Sequence, residues 1–315
     1  MLQIQAKIVS NTQIARGYFK MCLDAPAVAQ KAEPGQFIYV HTSNEYQPLL
    51  RRAFSVHKIS HQPPVTSHQL KNKEKLKQME ILYRVRGEGT RILAEKKAGE
   101  ELDIIGPLGK GFALCPLPFT LYPVLVGGGV GIAPLVFLAQ NLAKNRKPRT
   151  TSLRGRPKTE NRILVLIGAK TKKEILCKDE FERLGCEVKV ATDDGSQGFK
   201  GKVTELLRNI LASRSPFPVP RIYACGPRPM LKEIAQLAQQ YEIPCQVSLE
   251  ERMACGVGAC RGCVIKAPSS RLPRTASLRG RHASGQKTKK PENSFVYKRV
   301  CKDGPVFETG EIIWE

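Results

Sequence analysis

Tyr122 to Ala139 reads YPVLVGGGVGIAPLVFLA, 18 residues without a charge. An apolar stretch of that length is a candidate membrane helix. Three consecutive glycines (Gly127–Gly129) and Pro134 argue against one helix. The stretch reads better as a strand, VLVGG at Val124–Gly128, then a Gly-rich turn and a helix from Ala133. That order opens a parallel α/β unit, and glycines at the turn bring backbone N–H groups to a pyrophosphate at the helix N-terminus. Gly127, Gly128, Gly129, Gly131 and Ala133 are therefore candidate nucleotide contacts. Tight strand–helix packing also demands glycine, so the turn alone does not decide the ligand.

Downstream, the strand-like ILVLIGA (Ile163–Ala169), CEVKVAT (Cys186–Thr192) and RIYACG (Arg221–Gly226) alternate with helical stretches. The helices are Ala133–Ala143, Lys178–Leu184, Val203–Leu211 and Arg228–Tyr241. This alternation predicts a parallel sheet with crossover helices, with ligands outside the carboxyl ends of its strands. A second loop, Ala224-Cys225-Gly226-Pro227 followed by Met230, can flank the same crevice. A packed core thiol is the plain alternative for Cys225.

Upstream, short apolar runs alternate with turn signals: Ile4–Val9, Phe37–His41, Ala53–Val56, Ile81–Val85 and Leu102–Ile105. Strands at this spacing predict an antiparallel barrel or sandwich. Arg52-Ala53-Phe54-Ser55 begins one of them, and Arg84-Val85-Arg86-Gly87-Glu88-Gly89-Thr90 ends another and leads into a helix. An Arg fork suits a pyrophosphate, and Gly89-Thr90 at a helix start suits another phosphate oxygen. Taken singly, each is equally a surface arginine or a helix cap. Gly106 to Phe112 reads as the turn joining barrel to sheet.

From Pro244 onward the chain is Cys-rich and full of turns. Cys255, Cys260 and Cys263 follow the spacing C-x4-C-x2-C, and Cys301 follows after 37 intervening residues. This is the plant-type pattern for a 2Fe-2S cluster. Gly256, Gly258 and Gly262 between the ligands let the backbone pass close and aim N–H groups at sulfur. A structural zinc site is the rival, but it usually shows two separated C-x2-C knuckles and only one exists here. Incidental buried cysteines are the remaining alternative.

The formal charge of +23 and pI near 9.8 invite a nucleic-acid reading. The charge is concentrated in residues 61–78, 144–162 and 267–293, which together carry +16 of it. These stretches lack apolar periodicity and read as solvated loops. Two of them share a short polar segment, PRTTSLRGR at Pro148–Arg156 and PRTASLRGR at Pro273–Arg281, inside unrelated surroundings. Such copies are inserted loop sequence rather than a structural repeat. They carry no interleaved aromatic residue, so stacking platforms for nucleic acid are missing. The third stretch sits between Cys263 and Cys301, which makes Cys301 the ligand most in need of structural support. The N-terminus, MLQIQAKIVS, lacks a signal-peptide pattern. Cysteines at metal-ligand spacing point away from a disulfide framework. The expected setting is soluble and cytoplasmic.

With RAFS, GEGT, GGGVGIAP, ACGP and the cysteine loop in this order, the chain resembles the ferredoxin reductase superfamily. MACGVGACRGCVIKA followed by YKRVCKDGPVFETGEI narrows the resemblance to the electron-transfer subunits of B-type, NAD-dependent dihydroorotate dehydrogenases. It covers nearly the whole chain apart from the three basic stretches. The resemblance implies a multi-domain β and α/β fold. Its parts are an FAD-binding antiparallel barrel (1–112), an NAD-binding parallel-sheet domain (113–244) and a small 2Fe-2S domain (245–315). It implies FAD held by Arg52, Ala53, Phe54, Ser55, Leu82, Tyr83, Arg84, Gly89 and Thr90. It implies NAD(H) across Gly127, Gly128, Gly129, Gly131, Ala133, Cys225, Gly226 and Pro227, with Cys225 near the nicotinamide–flavin contact. It also implies a partner catalytic subunit with its own FMN, in a heterotetramer of two of each chain. The chain departs from the pattern in its basic insertions and at Ala53, where relatives often carry Pro. Two other readings stand beside this one: a stand-alone NAD(P)H-dependent flavin or ferredoxin reductase (or the equivalent subunit of another complex), and a basic nucleic-acid-binding protein with a structural zinc.

Overall fold

The computed structural model describes residues 1–43, 47–61, 77–114, 122–144, 163–213, 220–269 and 295–315. The reading of the basic stretches as solvated loops falls almost wholly outside these residues. Their described ends are ordered: Lys77 and Gln78 open a strand, Lys144 ends a helix, and Ala267 and Pro268 end a strand.

Six antiparallel strands close a barrel in the order β1-β2-β5-β4-β3-β6. They are β1 (Leu2–Ala15), β2 (Tyr18–Asp24), β3 (Phe37–Val40), β4 (Arg52–His61), β5 (Lys77–Arg84) and β6 (Glu101–Leu108). Alternation builds it. Along β6, Leu102, Ile104 and Leu108 are buried while Asp103 and Ile105 are half-buried on the other face. Ala6, Met21, Ile38, Val56 and Ile81 are completely buried in the same core. Helices α1 (Pro26–Ala29) and α2 (Glu88–Glu95) add Val28, Ala29 and Leu93 to it.

The second sheet has seven strands. Six are β7 (Tyr122–Gly128), β8 (Leu164–Ala169), β9 (Glu187–Thr192), β10 (Phe199–Lys200), β11 (Pro220–Cys225) and β12 (Cys245–Ser248). After a hairpin of β13 (Val264–Pro268) and β14 (Phe295–Arg299), β15 (Val306–Glu308) adds the seventh. The order is β10-β9-β8-β7-β11-β12-β15, parallel except for β15. Helices α3 (Ala133–Lys144), α4 (Lys178–Arg183), α5 (Val203–Ala212) and α6 (Arg228–Gln240) connect the strands. Strands β7 and β8 are near-continuous apolar runs, as a sheet covered on both faces requires. The chain runs outward from β7 to β10 and then returns to β11 on the opposite side of β7. The crevice between the carboxyl ends of β7 and β11 is therefore the topological switch point.

Hydrophobic packing crosses every boundary. Phe137 of α3 joins the barrel core, and Tyr18 and Leu82 of the barrel join one face of the sheet. Phe37 and Tyr39 join the opposite face, which also holds Cys263, Ile265, Val300 and Cys301. Among the described residues no helix is long and apolar enough to cross a membrane.

Candidate functional site

Three adjoining hollows line one side of the molecule, where the barrel, the switch point and the cysteine loop meet. The first lies over the start of β4 and the end of β5. The β4–β5 ladder ends at Val56↔Ile81. Beyond it the strands splay, so Ala53–Ser55 and Leu82–Arg84 face the same hollow with no ladder between them. Backbone polar groups along two such edges suit the heteroatom rim of a flavin ring. Side chains divide by strand alternation. Tyr83 turns into the barrel, where its hydroxyl donates to Asn11 Oδ1 at 3.0 Å and its ring stacks on Phe19. Arg84 turns outward over the Tyr18 ring. Tyr83 thus offers the hollow only its backbone.

The second hollow holds the phosphate features. The two adjacent arginines there act separately. Arg51 is spent inside the protein, bonded to the carbonyl and carboxylate of Asp103. Arg52 lies over the N-terminus of α2, where a Cβ added to Gly89 would meet its Nε at 3.0 Å. The Thr90 hydroxyl closes the turn locally, accepting from the amides of Arg86 and Gly87 and donating to the Gly87 carbonyl. The anion-binding capacity here therefore comes from Arg52 and the first-turn N–H groups of α2. A cradle that glycine keeps open and a guanidinium spans fits a dinucleotide's pyrophosphate.

The third hollow follows the switch point. Gly128, Gly129 and Gly131 line it together with Gly226 and Pro227. Gly131 and Gly226 pack backbone to backbone, so that a Cβ on Gly131 would fall 2.6 Å from the Gly226 Cα. Gly129 takes the left-handed conformation, φ +55, in open space. Gly127 serves packing instead, because a Cβ there would run into Ile132 at 2.2 Å, behind the turn. Ala133 faces the first hollow, and its carbonyl accepts a hydrogen bond from His57 Nδ1 at 3.0 Å. Cys225 is buried and lines the first hollow beside Gly131. Burial pushes its thiol well above the ordinary range, the charge of Glu250 adds to this, and Ser248 opposes it.

Sequence reasoning misses several residues of this cleft. Glu250 lines both the first and the third hollow. Withdrawal of water raises its carboxyl, and the charge of Arg86 opposes the rise. Met253 lines the first and second hollows, while Lys170, Asp193 and Lys202 stand at the far end of the third. The signal for Glu250 and Met253 is their position, immediately before the first cysteine.

The cysteine loop is held close to this cleft. Gly256 and Gly258 adopt φ of +69 and +85, and Tyr39 and Lys302 fill the space where side chains would be. Cys255 Sγ accepts from the amide of Cys260 at 3.4 Å, and Cys263 Sγ accepts from the amide of Cys301 at 3.4 Å. Burial works against the Cys255 thiolate, but amides of Cys260, Val257 and Ala259 outweigh it and bring the thiol down to about 6. Cys301 is pushed up to about 12 by burial and by Cys263. The four thiols thus fall into two neighbouring pairs, Cys255 with Cys260 and Cys263 with Cys301. Zinc would draw four sulfurs round one point. Among the described residues, the one group of three or more ligand atoms all within 4.8 Å of one another is elsewhere, at His57, Cys177 and Glu180. Two pairs fit two irons.

The third and fourth cysteines of the pattern, Cys263 and Cys301, are joined by the hairpin. Val264 pairs with Arg299, and the Val300 amide donates to the Cys263 carbonyl at 2.9 Å. Cys301 is therefore placed from its own side of the insertion. Arg299 adds a bond to the Gly258 carbonyl at 3.1 Å while paired with Asp303.

Comparison with known proteins agrees with this geometry. Residues 125–236 match the oxidoreductase NAD-binding domain, and residues 250–273 match the iron-sulfur cluster binding domain of dihydroorotate dehydrogenase B. The dihydroorotate dehydrogenase B (NAD(+)) electron transfer subunit of Desulforamulus reducens is 38% identical over 98% of both chains. That of Geobacillus kaustophilus is 36% identical over 97% of this chain and 96% of its own. Among solved structures, one of the NADH-dependent reduced ferredoxin-NADP oxidoreductase superposes with a TM-score of 0.70 at 27% identity, covering 98% of this chain and 90% of the other. The ferredoxin reductase of carbazole 1,9a-dioxygenase shares the fold, with a TM-score of 0.57 at 21% identity over 77% of this chain and 67% of its own.

Proposed function

The chain belongs to the family of electron transfer subunits of dihydroorotate dehydrogenase B (NAD(+)), and we propose that it carries electrons from dihydroorotate, oxidised in a partner catalytic chain, to NAD⁺. It is an oxidoreductase subunit using FAD, an iron–sulfur cluster and NAD(H), in the service of pyrimidine synthesis. One observation carries the reading: Cys225 and Gly131 of the switch point, Ala53–Ser55 and Leu82–Arg84 of the barrel and Met253 of the cysteine segment all line one hollow. When bound, the cluster exchanges single electrons and the flavin couples them in pairs to hydride transfer.

The residues divide the work. The splayed edges of Ala53–Ser55 and Leu82–Arg84 seat the flavin ring, and Arg52 with the first turn of α2 holds its pyrophosphate. Gly128, Gly129, Gly131, Gly226 and Pro227 admit the dinucleotide, with Cys225 at its reacting end. Ala133 offers its carbonyl to His57 rather than to a ligand. Cys255, Cys260, Cys263 and Cys301 hold a 2Fe-2S cluster. We assign the flavin to residues 1–112, the nicotinamide dinucleotide to 113–244 and the cluster to 245–315, with β12 and β15 of the last segment completing the middle sheet.

The partner is the catalytic subunit, in our reading an FMN protein assembled two-to-two with this chain. Val257 on the cysteine loop and Val296 and Tyr297 on the hairpin that follows it are exposed apolar residues, which supports docking of a protein on this segment. A cytoplasmic setting is supported by the described cysteines, no two of which are joined by a disulfide.

The decisive experiment is co-purification with the neighbouring catalytic chain and an assay of dihydroorotate-dependent NAD⁺ reduction. Cys260→Ser is expected to abolish that coupled reaction and to spare NADH oxidation by artificial flavin acceptors. Unchanged coupled turnover would refute the relay. The likeness to the NADH-dependent ferredoxin-NADP oxidoreductase favours a second reading, the equivalent subunit of another complex. Retrieval of a partner without dihydroorotate activity would select it.

A further inference from the structure

We propose that Tyr39 is the protein bridge over which electrons cross between the cysteine loop and the flavin hollow. The inference rests on the function proposed above. Tyr39 lies on β3 with its ring buried to 2% exposure. The ring packs on Gly256, where an added Cβ would fall 2.7 Å from Tyr39 Cδ1. Gly256 directly follows the ligand Cys255. At the other end, the Tyr39 hydroxyl donates to the Met253 carbonyl at 2.9 Å. Met253 lines the flavin hollow and the phosphate hollow beside it. The backbone of Tyr39 is also the ladder partner of Ala53, another residue of the flavin wall.

Tyr39 therefore touches the cysteine loop directly and the wall of the flavin hollow through Met253 and Ala53. Electron transfer through protein weakens steeply wherever bonded and packed atoms give way to a gap, and Tyr39 fills the gap between these two. The competing route is the chain itself, Met253–Ala254–Cys255, which is covalent but must follow the backbone through the turn. The ring offers a second connection, from Gly256 to the hydroxyl and one hydrogen bond to Met253, and through the Tyr39 backbone across the strand pairing to Ala53.

The balance is simple. One electron crosses per passage and two passages serve each hydride exchanged with NAD(H). Tyr39 is neither oxidised nor deprotonated, since its proton stays in the bond to the Met253 carbonyl. It is a positioning residue in the medium between donor and acceptor.

The experiment mixes the holo full-length chain with NADH. Flavin bleaching is followed by stopped flow, and reduction of the iron–sulfur centre by freeze-quench EPR. Tyr39→Leu should slow the second process about tenfold, one decade of rate, and leave the first unchanged. Tyr39→Phe keeps the ring on Gly256 and loses the hydroxyl bond, so a smaller slowing is expected. Midpoint potentials of both centres should match the wild type. An unchanged rate in Tyr39→Leu with full flavin and iron content would show that the backbone route suffices, and would overturn the proposal. Slowing that tracks a shifted midpoint potential would also overturn it, because Tyr39 would then tune driving force. If Tyr39→Leu loses its cluster, Tyr39→Phe decides: slowing supports the bridge and a wild-type rate rejects it. Wild-type protein without flavin or iron–sulfur signals would instead defeat the underlying function before Tyr39 is tested.

Discussion

His57 Nε2 lies 3.3 Å from Glu180 Oε2, a contact that joins the barrel to the nucleotide-binding sheet. The same buried imidazole holds the Ala133 carbonyl through Nδ1, so one barrel side chain grips α4 and the start of α3 together. Lys20, also from the barrel, reaches the other Glu180 oxygen at 3.3 Å. Burial by itself would raise the Glu180 carboxyl, but the His57 bond, the His57 charge and the charges of Lys20 and Lys58 outweigh it and hold it down to about 2.

The sign of the pH effect follows. A carboxyl depressed in the folded state contributes stability that is present above its ordinary value of 4.5 and is lost as pH falls toward about 2. Glu180→Gln should lower unfolding stability by about 3 kcal/mol at neutral pH, as expected when one partner of a buried ion pair is removed. The gap between variant and wild type should shrink as pH falls from about 5 to about 3. Urea denaturation followed by fluorescence of Trp314, the chain's one tryptophan, measures both. A gap that stays constant with pH would remove the ion pair as the cause.

Gly131 and Gly226 separate a ligand effect from a packing effect. A Cβ on Gly131 meets the Gly226 backbone, which has no rotamer with which to yield. Gly131→Ala is expected to force the two loops apart and raise the KM for NADH by about tenfold or more, with flavin content unchanged. Gly127→Ala meets Ile132 instead and should reduce stability before it reduces affinity. Diaphorase kinetics beside a thermal melt distinguish the two variants.

Much of this arrangement is legible in the sequence, and the exceptions have physical causes. The strand–glycine–helix order around Gly127–Ala133 and the cysteine spacing are local patterns: the first predicts the order of β7 and α3 seen here, and the second falls in the segment that matches the iron–sulfur cluster binding domain. Strand β2, Tyr18–Asp24, escapes the reading because its YFKMCLD run lacks clean alternation: its register with both β1 and β5 is what makes it a strand. Strands β12 and β15 have four and three residues, too few to show a period, and are recognisable only from their neighbours. The RAFS pattern picks out Arg52 in the sequence, but only Asp103, distant in the chain, shows that its neighbour Arg51 is taken up by the protein itself. Tyr39 carries no motif at all, since its importance comes from what β3 brings it against.

That division between the arginines gives a third expectation. Arg52→Ala should weaken FAD retention by about 1.5–3 kcal/mol, the range for a hydrogen bond to a charged group, and leave the melting of the flavin-free protein near wild type. Arg51→Ala should do the reverse, lowering stability through Asp103 while FAD affinity holds. Flavin release on dilution, with melting curves of both variants, is the measurement. Equal flavin loss from both would mean that the Arg51–Asp103 pair yields to the ligand.

The hairpin makes the last prediction, on the insertion between the third and fourth cysteines. Strands β13 and β14 pair in register from Val264↔Arg299 to Pro268↔Phe295. The ladder positions Val300 against Cys263 from within the hairpin, and Arg299 and its partner Asp303 fix the start of α7 (Val300–Asp303), which carries Cys301. Each of these contacts is made by residues on the cluster side of the hairpin, outside 269–294. Replacing 269–294 with a two-residue Asn-Gly turn, which suits the twist of paired strands, should therefore leave iron and sulfide content and the EPR signal as in the full chain. Closing so short a loop also reduces the entropy lost on folding, by about 2 kcal/mol on the logarithmic dependence on loop length, so the shortened protein should melt no lower. If iron content falls while the flavin is retained, the insertion itself, rather than the ladder, delivers Cys301 to the cluster.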